Sequence, residues 1–177
     1  MCKKIYKINQ VEWHVLYEYD DFLERLFFRY KEQCDRMLAP VFLEPIHPYL
    51  HKMKKYTVCS LCSSDKKRMQ RGFDPLSDIF GFYDVPVASP LYKKKEHKQS
   101  KLSKKEREKV NDVIFRKEHY TLADKPILLV DDVCTTGSSL QRGIELLSPN
   151  KVFVIAAHPL WLSKHQEMIV EKKSLFW

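Results

Sequence analysis

Two adjacent aspartates, Asp131 and Asp132, follow directly on the apolar run ILLV (127–130), and after Val133 comes Cys134-Thr135-Thr136-Gly137-Ser138-Ser139. Neighbouring carboxylates are costly in a dry core. At the mouth of a site they accept hydrogen bonds from a pair of vicinal hydroxyls. The residues after them lead into a helix N-terminus, whose N–H groups, four hydroxyls and positive dipole end suit a phosphate. Gly137 lets the backbone approach an anion with no side chain between them. A diol-accepting pair beside a phosphate cradle describes a pocket for a ribose 5-phosphate. The plainer alternative is an ordinary strand-to-helix connection that carries two acidic residues.

The elements that must hold this constellation are clearest in the last third of the chain. PILLV (126–130) reads as a buried strand and DDVCTTG as a loop. SSLQRGIELL (138–147) reads as a helix with Leu140, Ile144 and Leu147 on one side, and VFVIAA (152–157) as the next buried strand. Apolar strands around an amphipathic helix form a βαβ unit, and such units build parallel sheets covered on both faces. In these sheets ligands bind beyond the carboxyl ends of the strands, where the aspartates stand. Earlier in the chain, VEWHVLYEY (11–19) alternates, with Trp13, Val15, Tyr17 and Tyr19 on one face and Glu12, His14 and Glu18 on the other, which predicts a strand. Asp20 and Asp21 look like an N-cap for a helix that would bury Phe22, Leu26 and Tyr30 and stop before Pro40. YTVCSLC (56–62) predicts another buried strand, SSDKKRMQRGFD (63–74) is polar and basic, 75–83 reads as a weak helix or turn, and DVPVASPLY (84–92) suits a short edge strand. A helix can begin at Ser103, where SKKE fits a capping box. The expected fold class is α/β, an open and mostly parallel sheet flanked by helices.

Composition sets the outer limits. The 177 residues suffice for one domain with its own core, 1–177, and the 44% hydrophobic and 31% charged content excludes a disordered chain. No apolar run approaches the ~18 residues of a membrane span. MCKKIYKINQ is basic with no apolar stretch after it, so no secretory signal is expected and the protein is expected in the cytoplasm. The five cysteines, Cys2, Cys34, Cys59, Cys62 and Cys134, are then expected as free thiols. The net charge of +8 is concentrated between Lys93 and Glu118, where eleven basic residues face five acidic ones. Such a stretch attracts nucleic acid or multiply charged phosphates, or is simply a solvated loop.

ILLVDDVCTTGSSL resembles the phosphoribosyl pyrophosphate signature of type I phosphoribosyltransferases: an apolar strand, two acidic residues, and a hydroxyl-rich loop containing Thr-Gly. MQRGFD (69–74) resembles the Arg-Gly-Phe-Asn stretch of the ComF family of DNA-uptake (competence) proteins. FFRYKEQCDRMLA (27–39) resembles that family's phenylalanine- and lysine-containing helix, and QSKLSKKEREKVNDVIFR (99–116) its Gln-x-x-Leu-x-x-x-x-Arg segment. The resemblance spans roughly residues 15–157 in the expected order. It implies a type I phosphoribosyltransferase-like fold, Rossmann-like in architecture. It implies that Asp131 and Asp132 hold ribose hydroxyls, that Cys134, Thr135, Thr136, Gly137, Ser138 and Ser139 hold the 5-phosphate, and that Lys67, Arg68 and Arg71 lie near the pyrophosphate. Gln99 and Arg107 also match family positions. Magnesium would accompany phosphoribosyl pyrophosphate and bridge its pyrophosphate oxygens. Single-stranded DNA and DNA-uptake proteins are the implied partners.

Three departures qualify what the resemblance implies. The four-cysteine zinc module with which ComF proteins often begin is missing, since only Cys2 precedes the strand at 11–19. Cys59-x-x-Cys62, even with His47 or His51 nearby, lacks a second cysteine pair, so zinc is not expected. The loop SLCSSD (60–65) lacks the proline that shapes the family's pyrophosphate site, and Thr135 stands where purine-using members can carry an acidic base. A hydroxyl is a poor proton acceptor at neutral pH, which disfavours purine salvage. Three readings follow: a phosphoribosyl pyrophosphate-binding protein of DNA uptake, a working transferase on a small nitrogenous acceptor, and a non-catalytic regulatory module. His158 is expected to be structural, Trp13, Tyr17 and Tyr19 to build core, and Leu175-Phe176-Trp177 to pack on the domain or a partner.

Overall fold

A computed structural model describes residues 3–62, 65–94 and 113–170. Cys2, Gln99, Arg107, the helix expected from Ser103, most of the basic stretch and the Leu175–Trp177 tail lie outside the described residues.

Six strands form the central sheet: β1 (Lys4–Ile8), β2 (Val11–Glu18), β3 (Thr57–Ser60), β4 (Val87–Ala88), β7 (Ile127–Cys134) and β8 (Lys151–Ala157). Their order is β1-β2-β8-β7-β3-β4, and only β1 runs antiparallel to its neighbour. Two further strands, β5 (Leu91–Lys94) and β6 (Val113–Arg116), pair with each other in a separate antiparallel ladder. The mostly parallel α/β sheet expected from the apolar runs is therefore present.

Both faces of the sheet are covered, which is why its strands read as runs rather than as alternations. On one face lie α1 (Asp21–Glu32), a chain of short helical turns between Arg36 and Lys55 that includes α2 (His47–Leu50), and α4 (Pro75–Gly81). Phe27, Tyr30, Phe42, Leu50 and Phe80 from these elements pack with Leu128, Val130, Phe153 and Ile155 of the sheet. On the opposite face α5 (Ser138–Leu147) and α6 (Pro159–Lys164) bring Leu140, Leu147 and Trp161 onto Leu129, Val152 and Val154. α5 sits close to the strands because residue 143 is glycine; a Cβ there would lie 2.9 Å from Leu129 Cδ2 and 3.0 Å from Leu61 Cδ1. The βαβ unit β7–α5–β8 has the boundaries its sequence predicts to within a residue at α5 and β8.

Two local expectations are corrected. β2 is not half exposed: His14 and Leu16 are as buried as Trp13 and Val15, because β2 pairs with β8 inside a doubly covered sheet. His14 is accommodated by donating from Nε2 to Glu12 Oε1 at 2.6 Å, an oxygen that also takes Lys151 Nζ at 2.6 Å. In α1 the buried stripe is Leu23, Phe27 and Tyr30, while Phe22 is 63% exposed and Leu26 only partly covered. Asp20 caps the helix as expected, accepting from Leu23 N at 2.9 Å. Within the polar and basic stretch 63–74, α3 (Asp65–Arg71) forms a short helix. Among the described residues no helix is long and apolar enough to cross a membrane.

Candidate functional site

β7 does not end where its apolar run ends. Asp131 and Val133 still pair with Val154 and Ala156 of β8, so the strand continues to Cys134. The aspartates expected in a loop are strand residues at the carboxyl edge of the sheet, and only 135–137 remain as loop. Both are half-buried. Main-chain bonds shape them: Asp132 N donates to Asp131 Oδ1 at 3.0 Å, and Val133 N donates to Asp132 Oδ1 at 2.6 Å.

Lys31, in the last turn of α1, donates from Nζ to Asp132 Oδ2. The same ammonium lies 4.5 Å from the centroid of the Phe27 ring, one helical turn back. The two carboxyls are consequently in different electrostatic states. Burial and the negative charge of Asp132 raise Asp131 above the usual carboxylate range, although the N–H of Asp132 and the cations Lys31 and Lys93 pull the other way. Burial also opposes charge on Asp132, but there Lys31, the N–H of Val133 and Arg71 outweigh it and hold the group below that range. A pair of acids driven apart in this way can supply one fixed anion and one group that accepts or releases a proton near neutrality.

A cavity of about 260 Å³ opens over the pair, and Lys31, Lys67, Arg71 and Lys93 line it together with Asp131 and Asp132. Ser139, from the first turn of α5, also reaches it. Of the basic residues marked in the sequence, Lys67 and Arg71 reach the cavity, whereas Arg68 is exposed on α3 and does not line it. Arg71 pairs through Nη2 with Glu32, next to Lys31 in α1, and its side chain is only 10% exposed. Its Nε is buried without a hydrogen-bond acceptor. A buried donor left unpaired is destabilising, and an anionic oxygen entering the cavity is the kind of group that relieves it.

The remaining loop residues are distributed differently from the expectation. Thr136, Gly137 and Ser138 line a separate cavity of about 370 Å³ together with Trp13 and Trp161, and Thr135 borders a third of about 430 Å³ beside His158. Thr136 Oγ1 lies 3.0 Å from Ser138 Oγ and accepts from Ser138 N at 3.3 Å, so this hydroxyl is engaged at the start of α5. The Cys134 side chain is in the core, where burial, and then the charge of Asp131, push the thiol up to about 12, and its carbonyl accepts from His158 N at 2.9 Å. Gly137 has φ +83° and its Cβ would lie 2.9 Å from Trp161 Nε1. The glycine is thus demanded by backbone conformation and by the indole packed against it. His158 is a capping residue, its Nδ1 accepting from Leu160 N at 3.2 Å at the head of α6.

Lys31 and Lys93 are the site residues that sequence reasoning did not single out. For Lys31 the signal was the resemblance of 27–39 to a phenylalanine- and lysine-containing helix, of which Lys31 is the one lysine; its place at the margin of the buried face follows only once Phe27 is seen to be buried. Lys93 is one of many cations in a basic stretch, and its place beside Asp131 depends on how β5 and β6 pair. Cys59 is buried on β3, its thiol raised to about 11 by burial, and Cys62 borders the cavity.

Residues 71–176 match the phosphoribosyl transferase domain, and the chain belongs to that family. Within it the chain is ComF-like. It is 28% identical over 137 residues to competence protein ComFC of Streptococcus pneumoniae, covering 77% of this chain and 62% of that protein. It is 27% identical over 128 residues to competence protein ComFC of Bacillus subtilis, covering 71% of this chain and 53% of that protein. The chain thus spans less than two thirds of the length of these relatives. Among solved structures it is similar to a purine phosphoribosyltransferase from Pyrococcus horikoshii, at 20% identity and a TM-score of 0.41, over 70% of this chain and 75% of that one.

Proposed function

We propose that this protein binds phosphoribosyl pyrophosphate and, as a cytoplasmic protein with a single domain, assists the handling of single-stranded DNA in natural transformation. One observation carries the ligand assignment: a cavity at the carboxyl edge of the sheet sets Asp131 and Asp132 against Lys31, Lys67, Arg71 and Lys93. Carboxylates suit the ribose diol, and the cations suit a pyrophosphate that would otherwise be repelled. The orphaned Nε of Arg71 favours an oxygen-rich anion in the same place. The first turn of α5, which reaches the cavity through Ser139, would take the 5-phosphate.

Magnesium fits this site as a companion of the ligand. Asp131 and Asp132 are the acidic side chains that would stand beside the ion. When bound it supplies charge neutralisation for the departing pyrophosphate. The residues orient the sugar, hold the leaving group and keep one carboxyl ready to exchange a proton.

The test is calorimetric titration of the protein with phosphoribosyl pyrophosphate and magnesium, repeated on Asp131→Asn/Asp132→Asn. Loss of two charge-assisted hydrogen bonds should weaken binding about 100-fold or more. Equal affinity in both proteins sinks the assignment. A second reading, transfer to a small nitrogenous acceptor, is favoured by the divergent protonation of the pair, and pyrophosphate release with such an acceptor would support it. With Thr135 in place of an acidic base, purines are the least suited acceptors.

The nucleic-acid role rests on the ComFC relatives, the basic stretch beginning at Lys93, and the ladder that brackets it. Tyr92 of β5 stacks on Phe115 of β6 at 5.7 Å, and Lys117 lies 5.6 Å from the Tyr120 ring centroid. Aromatic faces flanked by cations suit unpaired bases. Tyr92→Ala should weaken binding of a single-stranded oligonucleotide about 5- to 100-fold, since stacking is worth ~1–3 kcal/mol per base, and raised salt should weaken it further. An unchanged affinity removes this surface from the proposal.

A further inference from the structure

Each oxygen of Asp132 already takes one donor from the protein, which fixes the carboxylate while leaving it at the cavity. Oδ2 takes the Lys31 ammonium, and Oδ1 takes the N–H of Val133 at 2.6 Å. Asp131 is bonded through Oδ1 to a main-chain N–H and also lies against the cavity. Lys31 is not sealed by its partner either: its side chain is 15% exposed and borders the same cavity. An ammonium has three donors, and Asp132 accounts for one. The ring of Phe27 beneath it and the carboxylate beside it fix where the others can go. The neighbouring acid, Glu32, is bound to Arg71 and so does not compete for Lys31.

We propose that Lys31, held in place by Asp132 and Phe27, is a ligand-contacting residue that acts as a built-in counter-cation, so that the site takes a phosphorylated, anionic pentose without requiring a divalent metal. The inference rests on the reading that this cavity binds phosphoribosyl pyrophosphate. Two bare carboxylates would repel a pyrophosphate, and a metal ion ordinarily supplies the missing positive charge. Here the protein supplies it: four cationic side chains border the cavity against the two aspartates, and one of those cations is bonded to the pair itself. The competing view is that Lys31 merely fastens α1 to β7, a role that would be indifferent to what occupies the cavity.

The two views separate in a titration of the full chain with phosphoribosyl pyrophosphate, performed once in EDTA and once with magnesium. Wild type should bind in EDTA within about tenfold of its affinity with magnesium. Lys31→Met should lose about tenfold to a hundredfold in EDTA, the scale of one charge-assisted contact, and distinctly less with magnesium, because the ion replaces the missing charge. Lys31→Arg should recover most of the EDTA affinity. Strict dependence of the wild type on magnesium overturns the proposal, as does an equal loss in Lys31→Met under both conditions. Removing one partner of a half-buried ion pair can prevent folding, so circular dichroism accompanies each variant. Lys31→Met/Asp132→Asn, which leaves no unpaired charge, is the second probe. That variant should fold and fail in EDTA, and retained EDTA binding counts against Lys31. If folded wild type takes no phosphoribosyl pyrophosphate in either buffer, the reading of the cavity itself fails, and this inference falls with it.

Discussion

Asp131 and Asp132 have the same chemistry and opposite tendencies, and the difference lies in what each touches. Asp132 meets an ammonium and Asp131 meets Asp132. A carboxyl whose folded pKa lies above its unfolded value binds more protons when folded, so its contribution to stability declines as pH rises from about 4 toward neutrality. Asp132, with the reverse shift, contributes stability above about 4 that is lost as pH falls through its lowered value. Asp131→Asn should therefore raise the melting temperature of the unliganded protein, and by more at pH 8 than at pH 5. Thermal unfolding across that range checks it; a gain that is flat or larger at low pH would refute the sign. The acidic pair and the Thr-Gly turn were legible in the sequence from residue type and spacing alone. What was not legible is the orientation of the loop side chains: Cys134 and the hydroxyl of Thr136 are drawn into the protein's own packing and capping, which spacing does not report.

Among the elements, α1 shows how a sequence can name a helix and mistake its face. Phe22, Leu23, Leu26, Phe27, Phe28 and Tyr30 crowd nine positions, so two stripes at helical spacing overlap and share Tyr30. The choice is made by the rest of the molecule. Phe27 stacks on Phe42 at 4.5 Å, and Tyr30 reaches the carbonyl of Pro75 at 2.9 Å, contacts to segments that local spacing cannot see. That rotation also carries Lys31 to the sheet edge. Phe27→Ala should cost ~3–5 kcal/mol as a core truncation, while Phe22→Ala, at an exposed position, should stay within about 0.5 kcal/mol. Urea denaturation of the two variants decides it, and comparable losses would mean that the buried stripe is wrongly placed. By contrast α5 and β8 were readable almost to the residue, because an apolar run, a short turn and an amphipathic helix admit one arrangement. β7 overran its expected end because pairing with β8 is main-chain chemistry, indifferent to the polar side chains at 131 and 132.

At the scale of the molecule, the doubly covered parallel sheet followed from the uninterrupted apolar strands, and its one antiparallel member, β1, did not, since KIYKI carries no mark of direction. The margins of that sheet have a consequence of their own. One border strand, Val87–Ala88, is two residues long and stands between Pro86 and Pro90. The other, β1, is overlaid by the returning chain, with Ile169 bridged to Tyr6 and Val170 N bonded to Ile5 O at 2.8 Å. A foreign strand seeking to zip onto this sheet finds prolines on one flank and a bridged edge on the other. The central sheet thus carries its own guard against runaway polymerisation, and the few residues around Ile169 are part of that guard.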